Sequence, residues 1–253
     1  MEPGRRPLVL FALAIVAIAA AIAWLAPASL LDSRVARATG GVVRLASAHG
    51  TLWNGRGIVT AANTQIPVAW NVDPWPLVRG VVHVRLRSDA GADTPRATVE
   101  LRADGIALQD ADVTVPAAAI ARKWGDMAAN SVDGEVNASA SNLRLTAGAN
   151  RGEARIVWHN ARIQPVVSAN PVDLGEVHAG LVANGATMSG PIDGQGGSLA
   201  LRGDWMLKER DAFTLALHVT LRTTADPALV RWLSTVGQPE GDGWHVEWRL
   251  PLR

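Results

Sequence analysis

The chain has 253 residues, no cysteine, and 24 Lys+Arg against 23 Asp+Glu, a formal net charge of +1. Without thiols there can be no disulfide scaffold, zinc ribbon or thiolate nucleophile. The even charge balance, with no basic stripe or acidic tail, leaves no nucleic-acid partner to argue for.

Residues 8–26 (LVLFALAIVAIAAAIAWLA) contain no charge, Gly or Pro. As an α-helix at about 1.5 Å per residue they span roughly 28 Å, close to a bilayer's hydrocarbon core. Arg5 and Arg6 precede the run, and the next basic residue is Arg34. The positive-inside rule then keeps residues 1–7 in the cytoplasm and delivers everything after 26 across the membrane, with Trp24 at the far interface. Ala26-Pro27-Ala28 also loosely fits a leader cleavage site, but the apolar core of a cleaved leader is shorter, about 7–15 residues. The lipid bilayer is thus the expected partner of residues 8–26.

Residues 27–41 read as a short stalk helix, with Ser29 as cap and Gly40-Gly41 as stop. From residue 42 the period changes to two. Val43 and Leu45 flank Arg44, and Gly50-Thr51-Leu52-Trp53-Asn54-Gly55 then forms a tight turn or bulge with its indole inward. Strands follow at 58–62 and 66–72, and Pro74-Trp75-Pro76 breaks the ladder. Alternation resumes at 81–87 and 98–102. Residues 116–129 read as a helix with Pro116 in its first turn. Strand patterns return at 134–140, 143–147, 154–163 and, weakly, 181–188. Gly190-Pro191-Ile192-Asp193-Gly194-Gln195-Gly196-Gly197 reads as a loop. Phe213, Leu215, Leu217, Val219 and Leu221 then alternate without error. Residues 226–237 form the clearest helix, with an Asp cap, Pro at the first position and Gly at the end. Trp244, Val246, Trp248, Leu250 and Leu252 close the chain in strict alternation.

Such alternation means antiparallel sheet with one wet face, and hairpins without crossover helices exclude a doubly wound fold. The expected architecture is mainly β: a transmembrane helix, then a large curved antiparallel sheet over 42–253 with two short helices, divisible into halves 42–165 and 180–253. A closed barrel is the alternative.

No catalytic, cofactor or metal residue emerges. His49, His83, His159, His178, His218 and His245 show no HxH or HExxH spacing and no carboxylate placed as a ligand partner. There is no GxSxG elbow. Gly194-Gln195-Gly196-Gly197 lacks the Lys-Ser/Thr of a phosphate loop, and Asn137-Ala138-Ser139 is a glycosylation sequon without meaning in most bacteria. Trp53, Trp70, Trp158, Trp205, Trp244 and Trp248 lie where the alternation demands apolar residues. They read as core; the competing reading is a greasy groove. A scattered loop site would have to gather Asp73, His83, Asp193 and His245.

The turn Gly50, Thr51, Leu52, Trp53, Asn54, Gly55, together with one N-terminal anchor, a Pro and short helix after it, and a strand ending at Trp70 before a Pro/Trp break, resembles the type II secretion system protein N family. The closing strand through Trp244 and Trp248 suits it too. The resemblance implies a bitopic inner-membrane protein of Gram-negative bacteria with a periplasmic β domain. It implies a non-enzymatic accessory role in exporting folded proteins across the outer membrane, with no cofactor, and with the inner-membrane platform proteins and the outer-membrane secretin as partners. Trp53 and Asn54 carry over as turn-shaping or contact residues. An alternative from another class is an anchored half-pipe whose apolar face binds or transfers lipid.

Overall fold

The computed structural model describes residues 25–38, 41, 43–61, 64–88, 96–121, 129–165, 170–208, 212–222 and 227–251. The expected span at 8–26 lies outside these but for its last two residues. Among the described residues no helix is long and apolar enough to cross a membrane.

After helix α1 (Leu30–Ala38) come strands β1 (Val43–Gly50), β2 (Asn54–Ala61) and β3 (Thr64–Asp73), a 3₁₀ turn (Trp75–Arg79), then β4 (Val82–Ser88), β5 (Arg96–Arg102) and β6 (Gly105–Pro116). A one-turn helix α2 (Ala117–Ala121) precedes β7 (Ala129–Thr146), β8 (Asn150–Pro165), β9 (Val172–Gly185), β10 (Thr187–Gly196), β11 (Leu199–Lys208) and β12 (Ala212–Leu221). Helix α3 (Pro227–Val236) leads to β13 (Gln238–Glu240) and β14 (Gly243–Pro251).

All strands belong to one 14-stranded sheet in sequence order, except that β14 inserts between β12 and β13. Every pairing is antiparallel. The edges are β1 and β13, and among the described residues they do not pair, so the sheet is open and the barrel alternative falls. Strands β8 and β9, where the two expected halves meet, pair along their length with register shifts between Trp158 and Arg162. Strands make their main contacts with ladder neighbours; β9 and β11 also meet across β10.

The register separates two faces, because directly paired residues point the same way. One row reads Gly55, Trp70, Leu86, Ala97, Ala111, Ala140, Ala154, Leu181 across eight strands. The adjacent row reads Arg56, Ala69, Arg87, Arg96, Asp112, Ser139, Arg155, Gly180. The first face is apolar along the whole sheet and the second polar, as alternation requires.

Two buried clusters form on the apolar face. Ala28, Leu45 and Trp70 make one, with Leu31, Val59, Val68 and Val84 against it. The other joins Leu174, Leu199, Val219 and Val246 to Leu229 and Leu233 of α3. Of the expected core tryptophans, Trp70 is buried and the rest are half-buried; Trp158, Trp244 and Trp248 pack against the second cluster.

The glycine-rich stretch 190–197, expected as a loop, is mostly strand. Gly190 pairs with Trp205 and Gly194 with Leu201, so large side chains next door fill the space the glycines leave. A Cβ on Gly190 would lie 2.1 Å from the Gly180 carbonyl oxygen, and Trp205 donates its indole N–H to that oxygen at 2.9 Å. Composition signalled a loop; a cross-strand neighbour made it a strand. The stretches 134–140 and 143–147 fuse into β7, and β6 carried no recognised strand signal.

Candidate functional site

The motif turn joins β1 to β2, and its residues are held by one another. Thr51 N–H donates to Asn54 O at 2.9 Å, and Thr51 Oγ1 accepts from the N–H groups of Trp53 at 3.3 Å and Asn54 at 3.2 Å. The threonine hydroxyl thus substitutes for ladder partners that the reversal removes. Gly50, at φ 96, can adopt the bend that a side chain would strain.

The indole that fills this turn is Trp70. It pairs with Gly55, where a Cβ would lie 2.4 Å from the ring, and it donates Nε1–H to Thr51 O at 3.2 Å. Gly55 is therefore small so that Trp70 can lie across it. Trp53 is half-buried, and its carbonyl accepts the Val72 N–H at 2.6 Å, tying the turn to β3.

The turn's outer side receives the chain as it enters. Leu52 N–H donates to Ala26 O at 2.9 Å, Ala28 N–H to Gly50 O at 3.0 Å, and Pro27 bridges Thr51. Ala28 is buried under the turn, and α1 then runs back along β1. Asp32 Oδ1 accepts the Leu45 N–H at 3.0 Å, which satisfies a group on the edge strand. Residues 27–38 are thus packed on the sheet, and the motif is the socket that fastens them. Spacing alone could not show this docking, because Ala26 and Leu52 meet only in the fold.

On the polar face the histidines have found carboxylates. Glu100 is buried and bonds His83 at 3.1 Å, Arg102 at 3.0 Å and the Gln109 amide. Glu176 accepts from His159 Nδ1 at 2.8 Å and His178 Nε2 at 2.7 Å. Both imidazole nitrogens must donate, since an ionised carboxylate only accepts. Glu176 is held below the ordinary carboxylate range, chiefly by the His159 hydrogen bond and, against a desolvation cost, by charge on His159 and His178. His245 lies 3.6 Å from Glu240. These pairs come from cross-strand register, which spacing along the chain does not encode.

The residues of the scattered-site idea stay in two groups. Asp73 and His83 are ladder partners. Asp193 and His245 lie on β10 and β14, more than five strands further along, which is roughly 29 Å or more of sheet at about 4.8 Å per strand. Among the described residues no three His, Asp or Glu are placed to hold a metal ion. A cavity of about 690 Å³ is an open trough over β4 to β8, and seven of its fifteen lining residues are charged. That lining suits water and salts better than an acyl chain.

A family model described as type II secretion system (T2SS), protein N, matches residues 42–246. No curated protein matches the chain, and no solved structure does either.

Proposed function

The chain belongs to the type II secretion system protein N family, and from that premise we propose that it is a non-enzymatic accessory scaffold of the secretion machine. In this reading residues 8–26 anchor it in the inner membrane with residues 1–7 in the cytoplasm. Residues 42–253 lie in the periplasm and contact the inner-membrane platform proteins and the outer-membrane secretin. The family match over 42–246 carries the proposal.

The two sheet edges support a contact mode. The β1 edge is closed by the chain's own residues 26–32. At the other edge β13 pairs only with Gly243, Trp244 and His245, so residues 246–248 have no strand beyond them among the described residues. An exposed edge is a template for strand addition by a partner.

The lipid half-pipe is the second reading. Its support is that the apolar face carries no second sheet among the described residues. Purification of the full chain from its native envelope after mild cross-linking, with mass spectrometry of proteins and lipids, separates the two. Secretion components without stoichiometric lipid are expected. Stoichiometric phospholipid without those components would overturn the scaffold reading.

A further inference from the structure

We propose that one end of the sheet is seated on the bilayer surface, with the 3₁₀ turn Trp75–Arg79 as a wedge in the headgroup layer. The proposal rests on the anchoring by residues 8–26 proposed above.

The register shows which turns share an end. Gly50 pairs with Gly55, Asp73 with His83, Arg102 with Gly105, Gly105 with Thr146, and Ala212 with Pro251. The motif turn, the 3₁₀ turn, the β5–β6 turn, the β7–β8 turn and the end of β14 therefore lie along one rim. Ala26 and Ala28 are bonded to the motif turn, so the chain enters at that rim.

The same rim carries apolar side chains in the open. Trp75 is 81% exposed, Val78 86% and Leu25 71%. Leu77 belongs to the same 3₁₀ turn, Leu101 and Ile106 flank the β5–β6 turn, and Leu250 is the last but one residue of β14; all are exposed. Elsewhere on the surface a large apolar group is normally covered or isolated; a cluster at one end marks a surface that meets something apolar.

The turn is built to hold its side chains out. Asp73 Oδ1 accepts the Trp75 N–H at 3.1 Å, Gly80 N–H donates to Leu77 O at 2.9 Å, and Val81 N–H to Pro76 O at 3.1 Å. Pro74 and Pro76 restrict the backbone further. Little conformational freedom remains to be lost on insertion. Trp75 has the amphipathic ring that favours the lipid–water interface, and Arg79 at the turn's end offers a cation to anionic headgroups.

Lipid is the occupant because of where the anchor ends. The apolar run stops at Ala26, whose carbonyl is already bonded to Leu52. No linker separates anchor from sheet, so the rim cannot stand away from the surface. The 3₁₀ turn follows β3, two strands from β1, so its sideways offset from that point is roughly 10 Å at about 4.8 Å per strand.

The test uses the full chain in vesicles of phosphatidylethanolamine and phosphatidylglycerol. The chain has no cysteine, so Val78→Cys, Ile120→Cys and Ala17→Cys each give one nitroxide-labelled site. Val78 and Ile120 are exposed, on opposite ends of the sheet. Relaxation by oxygen, which enters lipid, is compared with relaxation by a water-soluble nickel chelate. The expected result is a several-fold lower nickel accessibility at position 78 than at 120, with position 17 deeper still. Equal nickel accessibility at 78 and 120 overturns the wedge. If position 17 is nevertheless in lipid, the anchor survives that failure; if position 17 is in water, both readings fall.

Discussion

The two ends of the apolar face are covered in different ways. Around β1 to β4 the cover is the entering chain itself: Ala28 and Leu31 lie over Leu45 and Trp70. Around β9 to β14 the cover is α3, a helix placed between β12 and β13, whose Leu229 and Leu233 reach Val219 and Val246. Trp244 then donates to Ser234 Oγ at 3.2 Å and ties β14 to the helix. Between these ends the face thins to Ala97, Ala111, Ala140 and Ala154. Covers stand where side chains are large enough to reward burial, since the hydrophobic gain scales with apolar area. The contrast teaches that one sheet can have a core whose integrity depends on how the chain enters the sheet, and another that is self-contained.

The largest expected effect tests the first region. Trp70→Ala removes the buried indole and its hydrogen bond to Thr51, and should cost about 3–5 kcal/mol in urea unfolding. Hydrogen exchange should then accelerate in β1 to β4 more than in β9 to β14; uniform acceleration would dissolve the distinction. Leu233→Ala, at 3% exposure, should cost about 2–5 kcal/mol and reverse that exchange pattern. Asp32→Ala should cost about 1 kcal/mol by removing the acceptor for the Leu45 N–H, with the exchange of that amide as readout. The smallest effect is electrostatic. Glu176 has a lowered pKa when folded, so its contribution is present above the unfolded value near 4.5 and is lost as pH falls through the folded value. Glu176→Gln should flatten the acid side of the stability–pH curve. An unchanged acid side would mean that the pairs with His159 and His178 do not couple to folding.

Much of the fold was legible because strand alternation is local. Residues 213–221 and 244–250 declare their faces without any partner, and the helix expected at 226–237 appears as α3, its expected Asp226 cap lying outside the described residues. The β6 strand was hidden by Gln109-Asp110-Ala111-Asp112, whose polar run belongs partly to the Glu100 cluster and partly to the trough. The stretch 190–197 misled because its glycines answer to Trp205 and Leu201. In the candidate site, the motif residues marked the turn, but Trp53 stood out while Trp70 fills it. The Trp75–Arg79 turn had a readable signal: apolar residues between two prolines, in a break where no strand could bury them.

By itself the sequence determined the apolar run at 8–26, the antiparallel class, the two faces and the motif turn, because periodicity and turn chemistry act over a few residues. Tertiary structure alone decided that the entering chain caps the first edge, that Glu176 bridges His159 and His178, and that the exposed apolar turns share one rim. Those depend on which strands pair and in what register, and register is set by the summed burial of a whole face.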